Sequence, residues 1–197
     1  MSTCNNDIKT ATFVFNDDIS DELKTKILDE LKLSNMNLEI IFRPNNGFSY
    51  GAWRDVISKN LNDYDYFVMI EDDSIPTIPM FYEPFIERMS SEIPYVCCYM
   101  EYHNGIQFPS SSNGIIKAEQ CKVVLEKCGE MFFVNSTTDY HSAWDTQMRF
   151  YTYFSNCGYK MTDILDSYST HHMLNCHFND LRIFGNPENP PLIVPIV

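Results

Sequence analysis

Three consecutive carboxylates follow an apolar run in the segment YFVMIEDDSIPT, which covers residues 66–77. The acids are Glu71, Asp72 and Asp73, and like charges at this spacing repel one another. Mg²⁺ and Mn²⁺ prefer oxygen ligands, and Mg²⁺ binds substrate phosphates through one or two carboxylates. The alternative is a strand end whose acids cap the next helix or face the solvent. The apolar strand before them and the turn at Pro76 favour a metal site.

A second polar segment, RPNNGFSYGAWRD, follows another apolar run and covers residues 43–55. Asn46 and Gly47 lie in a turn whose glycine allows the backbone to approach a ligand closely. Arg54 is suited to binding phosphate. The alternative is that Arg54 pairs with Asp55 or another acid and that the neighbouring tryptophan belongs to the core.

The overall charge limits the class of ligand. The 197 residues carry a formal net charge of −13, which argues against sequence-independent binding to nucleic acid or to anionic membranes. A phosphate-bearing ligand therefore needs local positive charge, most simply a divalent cation. The seven cysteines form an odd set without a CxxC pair, which predicts reduced core thiols and a cytoplasmic protein. No signal peptide or membrane span is predicted, so we expect no membrane insertion.

Apolar periodicity places the polar segments at strand ends. Strands are predicted at 11–15, 37–42, 64–70 and 95–102, and helices at 19–34, 52–61, 79–92, 119–129 and 139–158. This alternation predicts a single α/β domain with a mostly parallel, Rossmann-like sheet flanked by helices. The polar clusters at 16–18, 43–47 and 71–73 each follow a strand. We therefore expect them to meet at one edge of the sheet, where such folds bind ligands.

The acidic segment resembles a known family. FVMIEDDSIPT is similar to the DxD-type motif of metal-dependent glycosyltransferases with the GT-A fold, especially the N-acetylglucosaminyltransferase that starts complex N-glycans. The resemblance implies Mn²⁺ or Mg²⁺ as cofactor and a nucleoside-diphosphate sugar, most simply a UDP-sugar, as donor. It assigns Asp73 to the metal and Asp72 to the donor ribose, while Glu71 supports the metal through water. Residues 43–57 are similar to donor-side segments of bacterial and viral sugar transferases.

Two later segments extend the resemblance. AWDTQMRF, residues 143–150, is similar to a Trp-Asp segment of the same family whose aspartate is the base of an inverting reaction. This implies Asp145 as the base, with Asp139 as the alternative. A carboxylate is suited to accept the proton of an acceptor hydroxyl. Otherwise Asp145 is a surface residue near a helix N-terminus, where the helix dipole favours it. His171 or His172 would complete the metal ligands.

The resemblance also implies the domain organisation and the partners. Residues 1–185 would form the catalytic domain, with a donor half at about 1–102 and an acceptor half at about 103–185. The Pro-rich segment 186–197 would be a strap or a linker. The size and tail are similar to the N-terminal transferase domains of multidomain proteins of large chlorella-infecting DNA viruses, which implies further domains after this one. The acceptor would be a glycan or another hydroxyl compound.

Two other classes of protein are compatible with the sequence. A carbohydrate-binding module on the same fold would stack sugar rings on exposed aromatic side chains, for which the candidates are Tyr50, Trp53, Tyr99 and Tyr102. A Mg²⁺-dependent phosphohydrolase would use acids at the end of the first strand, where Asp17 and Asp18 lie.

Overall fold

The computed structural model describes residues 10–16, 19–31, 37–71, 74–76, 80–98, 100–103, 106–109, 113–132, 140–164 and 178–180. In chain order the elements are β1 (Thr10–Phe15), α1 (Asp21–Leu31), β2 (Asn37–Phe42), α2 (Phe48–Asn60), β3 (Tyr66–Met69), β4 (Ser74–Pro76), α3 (Glu83–Arg88), β5 (Tyr95–Cys97), β6 (Met100–His103), β7 (Ile106–Pro109), β8 (Gly114–Lys117), α4 (Ala118–Cys128), α5 (Tyr140–Asn156), β9 (Met161–Asp163) and β10 (Phe178–Asp180). The protein is therefore of the mixed α/β class, as the sequence predicts.

The largest sheet has four strands in the order β3-β8-β5-β9. β8 lies between β3 and β5 and is antiparallel to both, whereas β9 pairs with β5 in parallel. As a result, β3, β5 and β9 run in the same direction and end at the same edge. β8 begins at that edge.

The other described sheets have two strands each. β1 pairs with β2 in parallel, β6 with β7 antiparallel, and β4 with β10 antiparallel. The described sheets are thus small and mixed, and the predicted mostly parallel central sheet is not seen as such. The reason lies between β5 and β8, where the structure has the β6–β7 hairpin, whose first strand overlaps the end of the single strand predicted at 95–102. Parallel pairing needs a long crossover, usually a helix, and without one β8 returns antiparallel to β5.

The main core is aromatic and centres on α5. The Phe150 ring, fully buried, packs against Phe132, Tyr95, Tyr50 and Phe154 with ring centroids 5.0–5.8 Å apart. Burying one such side chain contributes about 2–3 kcal/mol. These contacts join α5 to α2 and to β5, so the core fixes the position of both helices against the sheet.

Several helix boundaries differ from the predicted ones. α2 begins at Phe48, four residues earlier than predicted, and α3 covers only residues 83–88, with Pro84 in its first turn as expected. α4 ends at Gly129, whose φ of 77° is the left-handed conformation that glycine adopts at helix ends. None of the described helices has both the length and the apolar composition needed to cross a membrane.

Candidate functional site

Polar residues collect at the edge where β3, β5 and β9 end. Glu71 follows β3, Asn113 precedes β8, and Asp163 is the last residue of β9. Asn113 and Asp163 are buried, and Asp163 Oδ2 accepts a hydrogen bond from the Met100 amide at 2.7 Å. This edge is therefore the polar end of an otherwise apolar sheet.

Glu71 is held through its backbone and its side chain. Its amide donates a hydrogen bond to Asn113 Oδ1 at 2.6 Å, and Oε1 accepts one from the Ser49 hydroxyl at 2.5 Å. Asn113 immediately precedes β8 and binds the Glu71 amide, whereas Ser49 lies in the first turn of α2 and binds the carboxylate, so groups from three parts of the fold meet at this residue. The first acid of the EDD segment consequently has a fixed place at the sheet edge.

The loop before α2 folds back onto the helix. Gly47 has a φ of 82°, and the Asn46 carbonyl lies against Gly51 so closely that a Cβ added at Gly51 would be 1.9 Å from its oxygen. The amide of Gly51 also donates to the Gly47 carbonyl at 2.9 Å. The glycine of the GAW segment is thus required by packing between the loop and the helix.

Arg43 joins this loop to the end of β1. Its guanidinium donates to Asn16 Oδ1 at 2.5 Å and to the Asn46 carbonyl at 3.1 Å, and it pairs with Asp55 at 3.1 Å. Asn16 in turn donates to the Phe48 carbonyl. Described members of the polar clusters after β1, β2 and β3 are in contact, because Asn16 binds Arg43 and Ser49 binds Glu71. They do not share the single sheet edge that the sequence predicts, since β1 and β2 pair in a described sheet separate from that of β3.

Arg54 pairs with a neighbouring acid, as the alternative interpretation expects. Its guanidinium lies 2.9 Å from Asp55 Oδ1, and the same carboxylate binds Arg43 through Oδ2. Both partners of the Arg54–Asp55 pair are partly exposed. Trp53 packs against the main core at 5.1 Å from the Tyr50 ring, also as the alternative expects.

Two buried tyrosines, Tyr50 and Tyr95, lie in the core next to this edge. Tyr50 is only 3% exposed, so its ring faces the core and is not available to stack on a sugar. Tyr95 is fully buried, and its hydroxyl has no hydrogen-bond partner in the part of the chain that the structure describes. Burial raises the pKa of Tyr95 well above its usual value, and the nearby thiol of Cys97 adds to the effect. This hydroxyl therefore remains neutral in the folded protein.

Asp145 lies on α5, in the turn before the buried Phe150. Its Oδ2 accepts a hydrogen bond from Arg149 Nε at 3.0 Å, and both side chains are nearly half exposed. The bond to Asp145 raises the pKa of the Arg149 guanidinium. Phe150 packs on Tyr95. Asp145 precedes Phe150 by five residues, so at a rise of 1.5 Å per residue it lies about 7.5 Å from the level of Phe150 along the helix axis.

The remaining predicted site residues, Asp72, Asp73, Asp139, His171 and His172, lie outside the described residues. So do Asp17, Asp18 and Tyr99, and nothing is described of the Tyr102 side chain. Within the described ranges, no group of three or more His, Cys, Asp or Glu side chains is arranged to hold a metal ion. The metal ligands implied by the resemblance therefore stay a prediction.

Ser49, Asn113 and Arg43 belong to this site, although the sequence does not single them out. Arg43 and Ser49 flank the Asn46–Gly47 turn, which gives a weak local signal. Asn113 lies more than forty residues after Glu71 in sequence, and only the return of β8 to the side of β3 brings the two together. Neither residue type nor spacing could have found it.

No family model matches this chain, and no curated protein or solved structure matches it significantly.

Proposed function

We propose that the protein is a metal-dependent glycosyltransferase of GT-A type that moves a sugar from a nucleoside-diphosphate sugar, most simply a UDP-sugar, to a hydroxyl of a glycan or similar acceptor. The observation that carries the proposal is the contact between the segments that follow β1, β2 and β3. Asn16 binds Arg43 and the Phe48 carbonyl, and Ser49, in the first turn of the helix after the loop, binds Glu71. In open α/β sheets, ligands bind beyond the carboxyl ends of the strands.

The composition of the acidic segment suits a hard divalent cation. In sequence it has three successive carboxylates, and carboxylate oxygen is the ligand type that Mg²⁺ and Mn²⁺ prefer. One oxygen of Glu71 already binds Ser49, which supports a role beside the metal rather than on it. Asp73, with His171 or His172, would hold the ion, and Asp72 would bind the donor ribose. When bound, the ion supplies Lewis-acid stabilisation of the departing nucleoside diphosphate.

On the donor side, the loop region offers the exposed side chain of Asn46 and the guanidinium of Arg54, while Gly47 would let the diphosphate approach the turn closely. A diphosphate bound there would share Arg54 with Asp55, because the two side chains are in contact at 2.9 Å. The Arg43 guanidinium holds the loop in place by donating a hydrogen bond to the Asn46 carbonyl. We assign Arg43 a positioning role and Arg54 a binding role.

On the acceptor side, Asp145 would accept the proton of the attacking hydroxyl in an inverting reaction. Its contact with Arg149 holds one carboxylate oxygen in place, and its partial exposure leaves the group accessible to an acceptor. Asp139 remains the alternative base. The aromatic binding-module hypothesis is weaker, since one of its four candidate rings, Tyr50, is buried in the core and another, Trp53, packs against it.

The proposal is tested by thermal unfolding with Mn²⁺ and a panel of uridine, guanosine and thymidine diphosphate sugars. We expect one nucleotide sugar with Mn²⁺ to raise the midpoint, since binding to the folded state alone stabilises it. Asp73→Ala should abolish the rise. Asp63→Ala, an exposed acid beyond the end of α2, is the matched control and should keep it.

Release of nucleoside diphosphate distinguishes the classes of protein. A transferase releases it when an acceptor is added, and a binding module shows the midpoint shift without release. Absence of a shift with every donor, for a protein that unfolds cooperatively, would contradict the proposal.

A further inference from the structure

The ends of α4 and α5 bring two cysteine thiols into contact. Cys128 is the last residue of α4, and Cys157 follows the last residue of α5. Their sulfur atoms are 3.7 Å apart, and Cys128 Sγ also lies 3.8 Å from the Tyr153 carbonyl one turn earlier on α5. Neither cysteine forms a disulfide. The two thiols are thus neighbours in space although 29 residues separate them in sequence.

From this geometry we propose that Cys128 and Cys157 form a reversible disulfide that ties α4 to α5. A disulfide bond is about 2.05 Å long, so the sulfurs must approach each other by less than 2 Å. Rotation about the two Cα–Cβ bonds supplies movement on this scale. Both side chains are partly exposed, so a small oxidant can reach them.

The backbone at both cysteines can adjust to the bond. Each cysteine is followed directly by a glycine in the left-handed conformation, with φ 77° at Gly129 and 86° at Gly158, and a Cβ added at either glycine would meet nothing within 4 Å. The two helix ends therefore have open space around them. The other described cysteines differ, because Cys97, Cys98 and Cys121 are buried.

The environment of Cys128 slows the formation of this disulfide. Partial burial and the contact with Cys157 raise the pKa of the Cys128 thiol, and it is the thiolate that attacks a disulfide. We therefore expect slow closure that needs an added oxidant. Oxidised glutathione suits the purpose, since it is a small disulfide.

The exchange is balanced as follows. The thiolate of one cysteine attacks oxidised glutathione, which forms a mixed disulfide and releases one glutathione. The thiolate of the second cysteine then attacks the protein sulfur of that mixed disulfide, and a second glutathione leaves. The two protein thiols lose two electrons and two protons, and the two glutathione molecules receive them.

The experiment treats the folded chain with oxidised glutathione, alkylates the remaining thiols and maps the cysteine peptides by mass spectrometry. We expect a Cys128–Cys157 link and a thermal midpoint about 5–10 °C higher, both reversed by dithiothreitol. Cys128→Ser and Cys157→Ser should each lose the link and the shift. Cys121→Ala, on the same helix as Cys128, is the matched control and should keep both.

Two results would overturn the proposal. One is a map that shows only glutathione adducts, or links between other cysteines, in the folded protein. The other is a Cys128–Cys157 link that forms only in denaturant, since the pairing would then be a property of the unfolded chain. Neither result bears on sugar transfer, so this proposal and the proposed function can fail separately.

Discussion

The Ser49 hydroxyl donates a hydrogen bond to Glu71 Oε1 at 2.5 Å and thereby links the first turn of α2 to the residue that follows β3. The Glu71 amide is bound in addition to Asn113 Oδ1. An acid held on two sides cannot swing freely between the solvent and a ligand. The contact therefore fixes the position of Glu71, the first residue of the EDD segment, before any ligand binds.

Removing the Ser49 hydroxyl should release the Glu71 side chain and lower the stability of the protein. A hydrogen bond to a charged group contributes about 1.5–3 kcal/mol, and Glu71 is partly exposed, so we expect Ser49→Ala to lower the free energy of unfolding by about 1–2 kcal/mol. Urea unfolding measures the change. Ser58→Ala is the control, because Ser58 lies on the exposed side of the same helix and should change stability by less than about 0.5 kcal/mol. Equal losses in the two variants would contradict the role of the Ser49–Glu71 bond.

Gly51→Ala should destabilise the protein although alanine is the better helix former. The added methyl would lie 1.9 Å from the Asn46 carbonyl oxygen, so the loop or the helix must move. We expect a net loss of at least about 2 kcal/mol after the gain of about 1 kcal/mol in helix propensity. Thermal or urea unfolding checks this value. Gly129→Ala provides a contrast, since only its positive φ opposes the change and the cost should be about 1 kcal/mol.

Tyr95→Phe should be neutral or stabilising by up to about 1 kcal/mol, because the hydroxyl that it removes is buried and has no hydrogen-bond partner among the described residues. Tyr153→Phe should be destabilising, because the Tyr153 hydroxyl donates to the Glu130 carboxylate. Urea unfolding at pH 8 compares the two variants. A clear loss of stability in Tyr95→Phe would show that the hydroxyl has a partner.

Tyr95→Phe should also change how the free energy of unfolding depends on pH in alkaline solution. Burial raises the pKa of Tyr95 well above its usual value, whereas in the unfolded chain the group loses its proton near pH 10. Above about pH 10 the unfolded chain therefore binds fewer protons than the folded protein, and stability falls as the pH rises. Unfolding at pH 8 and at about pH 11 should show a smaller fall in Tyr95→Phe than in the parent protein. An identical fall in both would contradict the expected titration.

Asp145→Asn should separate catalysis from binding. If Asp145 is the base, turnover should fall by about 10²–10⁴-fold, while the midpoint shift with nucleotide sugar and Mn²⁺ stays unchanged. The pair with Arg149 is partly exposed and should contribute no more than about 1 kcal/mol to stability. Asp139→Asn is the matched comparison for the alternative base. Full turnover in Asp145→Asn would remove this residue from the mechanism.

Local sequence signals were sufficient for much of the fold. The strand at 37–42 and the helix end at Gly129 follow directly from apolar periodicity and helix-end chemistry. The reversed strand β8 was not predicted as such, because GIIK has the same apolar character whichever way it pairs. Strand direction depends on the connection before it, and the apolar pattern merges β6 with the strand predicted at 95–102 and gives no sign of its pairing with β7.

The sequence could predict only those parts of the site whose residues lie close together in one short stretch of the chain. Glu71 and the Asn46–Gly47 turn are visible as polar groups after apolar runs, and their convergence was predicted from the strand-end rule. Asn113 was not, since its contact with Glu71 depends on the pairing of two distant strands. The packing role of Gly51 could not be predicted either, because helix propensity alone marks a glycine within a helix as unfavourable.

The central place of β8 has a consequence for how the chain folds during synthesis. Residues 66–69 leave the ribosome well before residues 114–117, yet β3 pairs with no described strand other than β8. At about 5–20 residues per second, the strand that carries the acids therefore waits several seconds for its partner. During that interval the backbone hydrogen-bonding groups of β3 that pair with β8 in the folded protein lack these partners.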